Sequence, residues 1–158
     1  VGDVPALRSI TLVGFELTDD HPDPQRDADH RRRLDALDRQ LREGLTQLGL
    51  YRVVDAARAQ PVIGKLASEH AFLYRCEGCA QAIGQAANSE LVLVGWVQRV
   101  SELILNINVE VREVATDRIV LSKSVDLRGN NDESWTRALR FMLRDWAEKR
   151  ARNPRYGQ

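Results

Sequence analysis

Two cysteines three residues apart, Cys76 and Cys79 in YRCEGCAQAIGQAA (74–87), are the only ones in the 158-residue chain. A C-x-x-C pair can attach haem, supply half a zinc site, exchange disulfides or form a structural bond. Haem attachment requires His after the second cysteine, and Ala80 stands there. Structural zinc requires four ligands. Beyond the pair only His21, His30 and His70 offer soft donors, with no second paired spacing. A catalytic dithiol requires an exposed electropositive setting. The pair sits between two expected helices, and no Trp precedes it. Redox chemistry and a structural disulfide both remain open on spacing alone.

Three further groups could do chemistry. Asp19, Asp20, His21 and Asp23 open an acidic loop that runs on to Asp27, Asp29 and His30. Clustered carboxylates suit a hard cation such as calcium, which takes six to eight oxygens. The spacing lacks the Gly and Glu of an EF-hand, and acids also favour the start of the following helix. Asn106 and Asn108 lie in a strand, where Asn is depleted. With Trp96 and Gln98 on the neighbouring strand they could form a ligand or partner face. Arg128 and Asn130 in RGNNDESW (128–135) could extend it, although capping a helix accounts for the same residues. No Ser/His/Asp order, phosphate loop or acid/base pair stands out, and no cofactor is expected.

The bulk numbers narrow the class. There are 23 basic and 23 acidic residues, so the formal net charge is zero. A nucleic-acid binder would carry a basic surplus, and so would a protein held on an anionic membrane. No apolar run reaches the length of a membrane-spanning helix. The start VGDVPALRSI lacks both Met and the pattern of a signal peptide, as in a trimmed chain.

The elements that must position these residues follow from hydrophobic period. SITLVGFEL (9–17) reads as a strand buried on both faces, with Ile10, Leu12 and Gly14 opposite Thr11, Val13 and Phe15. Residues 28–50 form a helix whose stripe is Leu34, Leu37, Leu41, Leu45 and Leu48, closed by Gly49. Residues 51–55 are a strand and 56–70 a helix that Pro61 starts or breaks. A small-residue helix spans 79–89. Strands 90–100, 103–114 and 119–127 follow, with Leu103, Leu105, Ile107, Val109 and Val111 on one face. Asn130 or Asn131 caps a last helix, and an Asn130–Glu133 pair could form a capping box. Trp135, Leu139, Met142, Leu143 and Trp146 are its buried stripe. The order is β-α-β-α-α-β-β-β-α. It predicts one α/β domain over 1–158 with a mixed sheet, parallel first strands, an antiparallel meander, a core at 9–146 and a frayed tail at 151–158. The 119–127 edge could pair between subunits, so an oligomer is possible.

This pattern resembles the amino-terminal domain of TolB and the related CsgG-type and penicillin-binding-protein-activator domains. The resemblance rests on the helix-strand unit ending in LGLYRVVD, on QAANSELVLVGWV leading into the hairpin, and on the helix opened by GNNDESW. More narrowly, the Cys pair, Gly95-Trp96 and Arg128–Trp135 together resemble a family of small exported proteobacterial proteins of uncharacterised function. The resemblance implies a TolB-like fold and a periplasmic location. It implies an accessory module that binds an envelope protein or a small molecule, and it implies no enzyme class. With export implied, the cysteines read as a structural disulfide. A redox protein using Cys76 and Cys79, or a metal binder using the acidic loop, are the alternatives.

Overall fold

The computed structural model describes residues 6–158, so residues 1–5 of the expected domain lie outside it. Five strands form one sheet: β1 (Ser9–Asp19), β2 (Arg52–Val53), β3 (Leu91–Ser101), β4 (Ile104–Glu113) and β5 (Ile119–Leu127). Four α-helices join them: α1 (Asp27–Gln47), α2 (Gln60–Glu69), α3 (Cys79–Ala87) and α4 (Asp132–Arg152). The sheet order is β2-β1-β3-β4-β5. β1 runs parallel to β2 and β3, and β3-β4-β5 is an antiparallel meander. The mixed α/β fold and element order match the sequence reading. The second strand is shorter than 51–55, and helix α2 starts only at Gln60, with Pro61 in its first turn where its missing N–H costs nothing.

Helices α1 and α4 cover one face. Leu37, Leu41 and Leu45 meet Trp135, Leu139, Met142 and Trp146 there, over Leu93, Ile107 and Val109. Full burial of each such side chain stabilises by about 1.5–3 kcal/mol. Leu48, expected in the stripe, is 47% exposed because the helix has ended. Gly49 (φ +64°) closes α1, with Gly49 N–H donating to Thr46 O and Leu50 N–H to Leu45 O. At the hairpin tip Leu103 is 69% exposed and lies outside β4, unlike the rest of its predicted row.

Helices α2 and α3 lie on the other face, over Val13, Val92 and Val114 only. Helix α3 approaches closely because Gly84 has no Cβ; one there would run into Val92 and Val114. Beyond this patch no helix of the described residues covers this face of the meander, and Ser122, Ser124 and Asp126 of β5 stay exposed.

The C-terminal stretch expected to fray is docked instead. The buried Tyr51 hydroxyl donates to Gly157 O at 2.5 Å, and Arg150 Nε donates to Tyr156 O at 2.5 Å. Lys123 Nζ donates to the Tyr156 hydroxyl at 2.9 Å. Burial pushes the Tyr51 phenol up to about 12, so it stays a donor. Tyr51 and Lys123 are distant in sequence from the tail they hold, which is why local polarity suggested a loose end.

Candidate functional site

The site begins with a bulge. Strand β1 keeps register with β3 from Ile10↔Leu91 to Leu12↔Leu93, then resumes at Phe15↔Gly95. Val13 and Gly14 thus oppose one residue, and Gly14 takes φ +106°, a conformation that favours glycine. The extra residue reverses the alternation. Phe15 and Leu17 join Ile10 and Leu12 in the α1/α4 core, where strict alternation would have put Phe15 beside Val13. Glu16 and Thr18 therefore point to the opposite, partly covered face.

There they hold a single 3-10 turn, Leu73–Arg75. The two Glu16 carboxylate oxygens accept from Leu73 N–H at 2.9 Å and Tyr74 N–H at 3.1 Å. Thr18 Oγ1 and the Tyr74 hydroxyl lie 2.6 Å apart in a hydrogen bond. The Tyr74 ring is thereby laid flat on Trp96 of β3, with centroids 4.3 Å apart and planes 5° from parallel. Arg75 reaches over the rings of Phe72 and Tyr74. The chain then enters the Cys76–Cys79 disulfide, whose Cα atoms are 5.5 Å apart. Gly78 (φ +82°) is the N-cap of α3, so the bond clips the Tyr74 turn to the start of that helix.

From Trp96 a polar strip crosses the open meander. The register aligns Glu16, Trp96, Asn108 and Ser124 in one row, and Thr18, Gln98, Asn106 and Asp126 in the next. Asn108 Nδ2 donates to Asn106 Oδ1 at 2.5 Å, and Asn106 Nδ2 to Gln98 Oε1 at 3.3 Å. Among the described residues, Gln98 Nε2 and Asn108 Oδ1 take no partner. The ladder thus ends in one available donor and one available acceptor. Beside it lies a polar cleft of about 290 Å³ between the disulfide segment and the sheet, bordered by Tyr74, Arg75, Cys76, Glu110 and Arg112. Arg112 is occupied there by Glu110 and by Asp117 O.

Four of the six expected face residues, Trp96, Gln98, Asn106 and Asn108, are thus brought together. Arg128 instead lines the groove between β5 and α4. Asn130 lies on the other layer of the molecule. Its Nδ2 donates to Nε2 of the buried His30 at 2.8 Å, and its Oδ1 accepts from Trp135 Nε1 at 3.0 Å. The cap of α4 is Asn131, which accepts from Ser134 N–H, so no Asn130–Glu133 box forms. Because Asn130 donates to Nε2, His30 is neutral with its proton on Nδ1. Burial, with Arg99 and Arg33 nearby, lowers its pKa.

The acidic loop is engaged piecemeal. Asp19 faces Arg99 at 3.5 Å and accepts from His21 N–H, while Asp23 caps the 3-10 turn Pro24–Arg26 and pairs with Arg26. Asp20 and the His21 side chain are exposed. Among the described residues the one cluster of three possible metal ligands is His70, Cys76 and Cys79, and its two sulfurs are bonded to each other. Glu16, Thr18 and Tyr74 were not singled out from sequence. An acid inside a run expected to be buried on both faces, at Glu16, was the available signal.

A five-stranded mixed sheet covered by two helices on one face and half covered on the other is an α/β fold of the TolB type. Solved structures share the fold, three of them as follows. The LpoB C-terminal domain from Escherichia coli matches with a TM-score of 0.53 and 14% identity, over 80% of this chain and 87% of that one. Lipoprotein GNA1162 from Neisseria meningitidis matches at 0.52 and 17%, over 92% and 97%. TolB from Acinetobacter baumannii matches at 0.54 and 11%, over 95% of this chain but 29% of TolB. No curated protein sequence matches the chain. The chain itself belongs to the DUF3280 family, described as a protein of unknown function (DUF2380), whose profile matches residues 8–146.

Proposed function

We propose that this chain is a non-catalytic accessory module of the bacterial envelope, which binds a protein or a small ligand on the bare half of its sheet. The observation that carries this reading is the Tyr74–Trp96 stack at the head of the Gln98–Asn106–Asn108 ladder. Aromatic surface beside convergent, unfilled amide groups is the chemistry of a recognition site. Export is supported by the disulfide, which persists in oxidising compartments. It is also supported by the resemblance to envelope modules and by the lipoprotein nature of GNA1162. No helix of the described residues is long and apolar enough to cross a membrane.

The test is a photo-crosslinking residue placed at Ser124 on the bare face, and separately at the exposed Asp35 on α1. Adducts that arise at Ser124, and fade when Asn106→Ala is added, support the reading. Equal adducts at both positions, or none at Ser124, overturn it.

A second reading, thiol–disulfide exchange, is favoured by two placements. Cys79 holds the first position of α3, where the helix dipole stabilises a thiolate. Cys76 borders the polar cleft and is only half-buried. A reduction potential between about −120 and −270 mV would favour exchange, and one below about −300 mV would favour a structural bond.

A further inference from the structure

We infer that the chain self-associates as a two-fold dimer, in which β5 of one copy pairs antiparallel with β5 of the other. The sheet order leaves two edges, β2 and β5. Strand β2 has two residues and offers little. Strand β5 has nine, IVLSKSVDL, with no proline or glycine. Its outer side presents a row of backbone N–H and C=O groups, which is a template for another strand.

An inward-pointing charge commonly guards such an edge. Lys123 points inward here, at 7% side-chain exposure, but it is already neutralised by Asp145 at 2.5 Å and bonded to Tyr156. Lys123 itself therefore brings no free charge under an added strand. A groove of about 460 Å³ runs between this edge and α4, with Val125, Leu127, Ala138 and Phe141 as its apolar wall and Arg128 and Arg137 among its polar lining. Phe141 is 58% exposed on its rim.

The occupant follows from the pattern the edge demands. The added strand must be apolar toward α4 and polar toward the bare face. β5 itself meets that demand, with Leu121, Val125 and Leu127 on the first side and Ser122, Ser124 and Asp126 on the second. Antiparallel self-pairing closes with a two-fold axis and needs no other component. Nine residues extend about 30 Å. With a sheet layer and a helix layer together about 20 Å deep, the footprint is about 600 Å² per copy, near the lower bound for a specific dimer. Trp96, Gln98, Asn106 and Asn108 on β3 and β4 stay free on the bare face. Ser124, on the pairing strand, is the residue the two surfaces share, so an adduct there to a second copy of the chain counts for the dimer and not for the function proposed above.

Sedimentation equilibrium of the whole chain, from micromolar to millimolar protein, is the test. The expected mass rises from 17.9 kDa to twice that value. Phe141→Glu, at an exposed position, should weaken association at least about tenfold with unchanged circular dichroism. Leu7→Glu, at an exposed position beside β2 on the opposite edge of the sheet, should not. Amides of β5 should gain protection from hydrogen exchange as protein concentration rises. A monomer at every concentration, a Phe141→Glu dimer of undiminished strength, or β5 protection independent of concentration each overturns the inference.

Discussion

Tyr74 lies parallel on Trp96 at 4.3 Å, although 22 positions separate them, because Glu16 and Thr18 of a third segment fix the turn that carries the tyrosine. Trp135 and Trp146 are at most 1% exposed, so Trp96 is the tryptophan that solvent can approach. We predict that Tyr74→Ala red-shifts the emission, raises acrylamide quenching and costs about 0.5–1.5 kcal/mol beyond the lost burial. Unchanged quenching would show that the rings do not stack in solution.

Glu16→Ala removes the acceptor of two backbone N–H groups. Hydrogen bonds to a charged group are worth about 1.5–3 kcal/mol, and these are partly buried. The expected loss of stability is about 2 kcal/mol by chemical denaturation. Trp96 quenching should rise as in Tyr74→Ala, and the two effects should not add, since both act on one turn. Full additivity would disprove the coupling.

Reducing the disulfide is expected to lower stability only modestly. The loop closed is four residues long, and chain entropy gives about 2 kcal/mol for it. The Cys76→Ser/Cys79→Ser protein should still fold, with its melting temperature lowered by several degrees. A collapse of the far-UV spectrum would contradict this estimate, because it would mean that α3 depends on the clip.

His30 sets a pH dependence. Its folded pKa lies below its unfolded value of about 6.5, chiefly through desolvation. The unfolded chain therefore binds the proton first as pH falls. Stability from this group is fully present above about 6.5 and is lost as pH drops through that value toward the folded pKa, by at most about 1.4 kcal/mol per pH unit. His30→Gln should flatten the melting temperature between pH 7 and about 5, above the carboxylate range. An unaltered slope in that window would refute the assignment.

Gly95→Ala tests the bulge. A Cβ at Gly95 would meet the Phe15 ring, which packs there only because Gly14 shifts the register. Overpacking of this kind costs about 1–3 kcal/mol. If so, Gly95→Ala with Phe15→Leu should recover part of the loss; no recovery would place the strain elsewhere.

The sequence by itself determined the element order, the α1 and α4 stripes, and the alternation of β4. Those patterns are local, because a helix or strand repeats its buried side every few residues. It also brought Trp96, Gln98, Asn106 and Asn108 onto one face, since hairpin partners sit at fixed register. Tertiary structure decided what crosses between elements. The Gly14 bulge reversed the faces of β1 and sent Glu16 and Thr18 to Tyr74. The hydrogen bond to His30, 100 positions away, claimed Asn130, which had looked like part of the face. Tyr51 and Lys123 fastened a tail that had looked loose. Each depends on partners that converge only once the sheet has formed, so no window of neighbouring residues carries the signal.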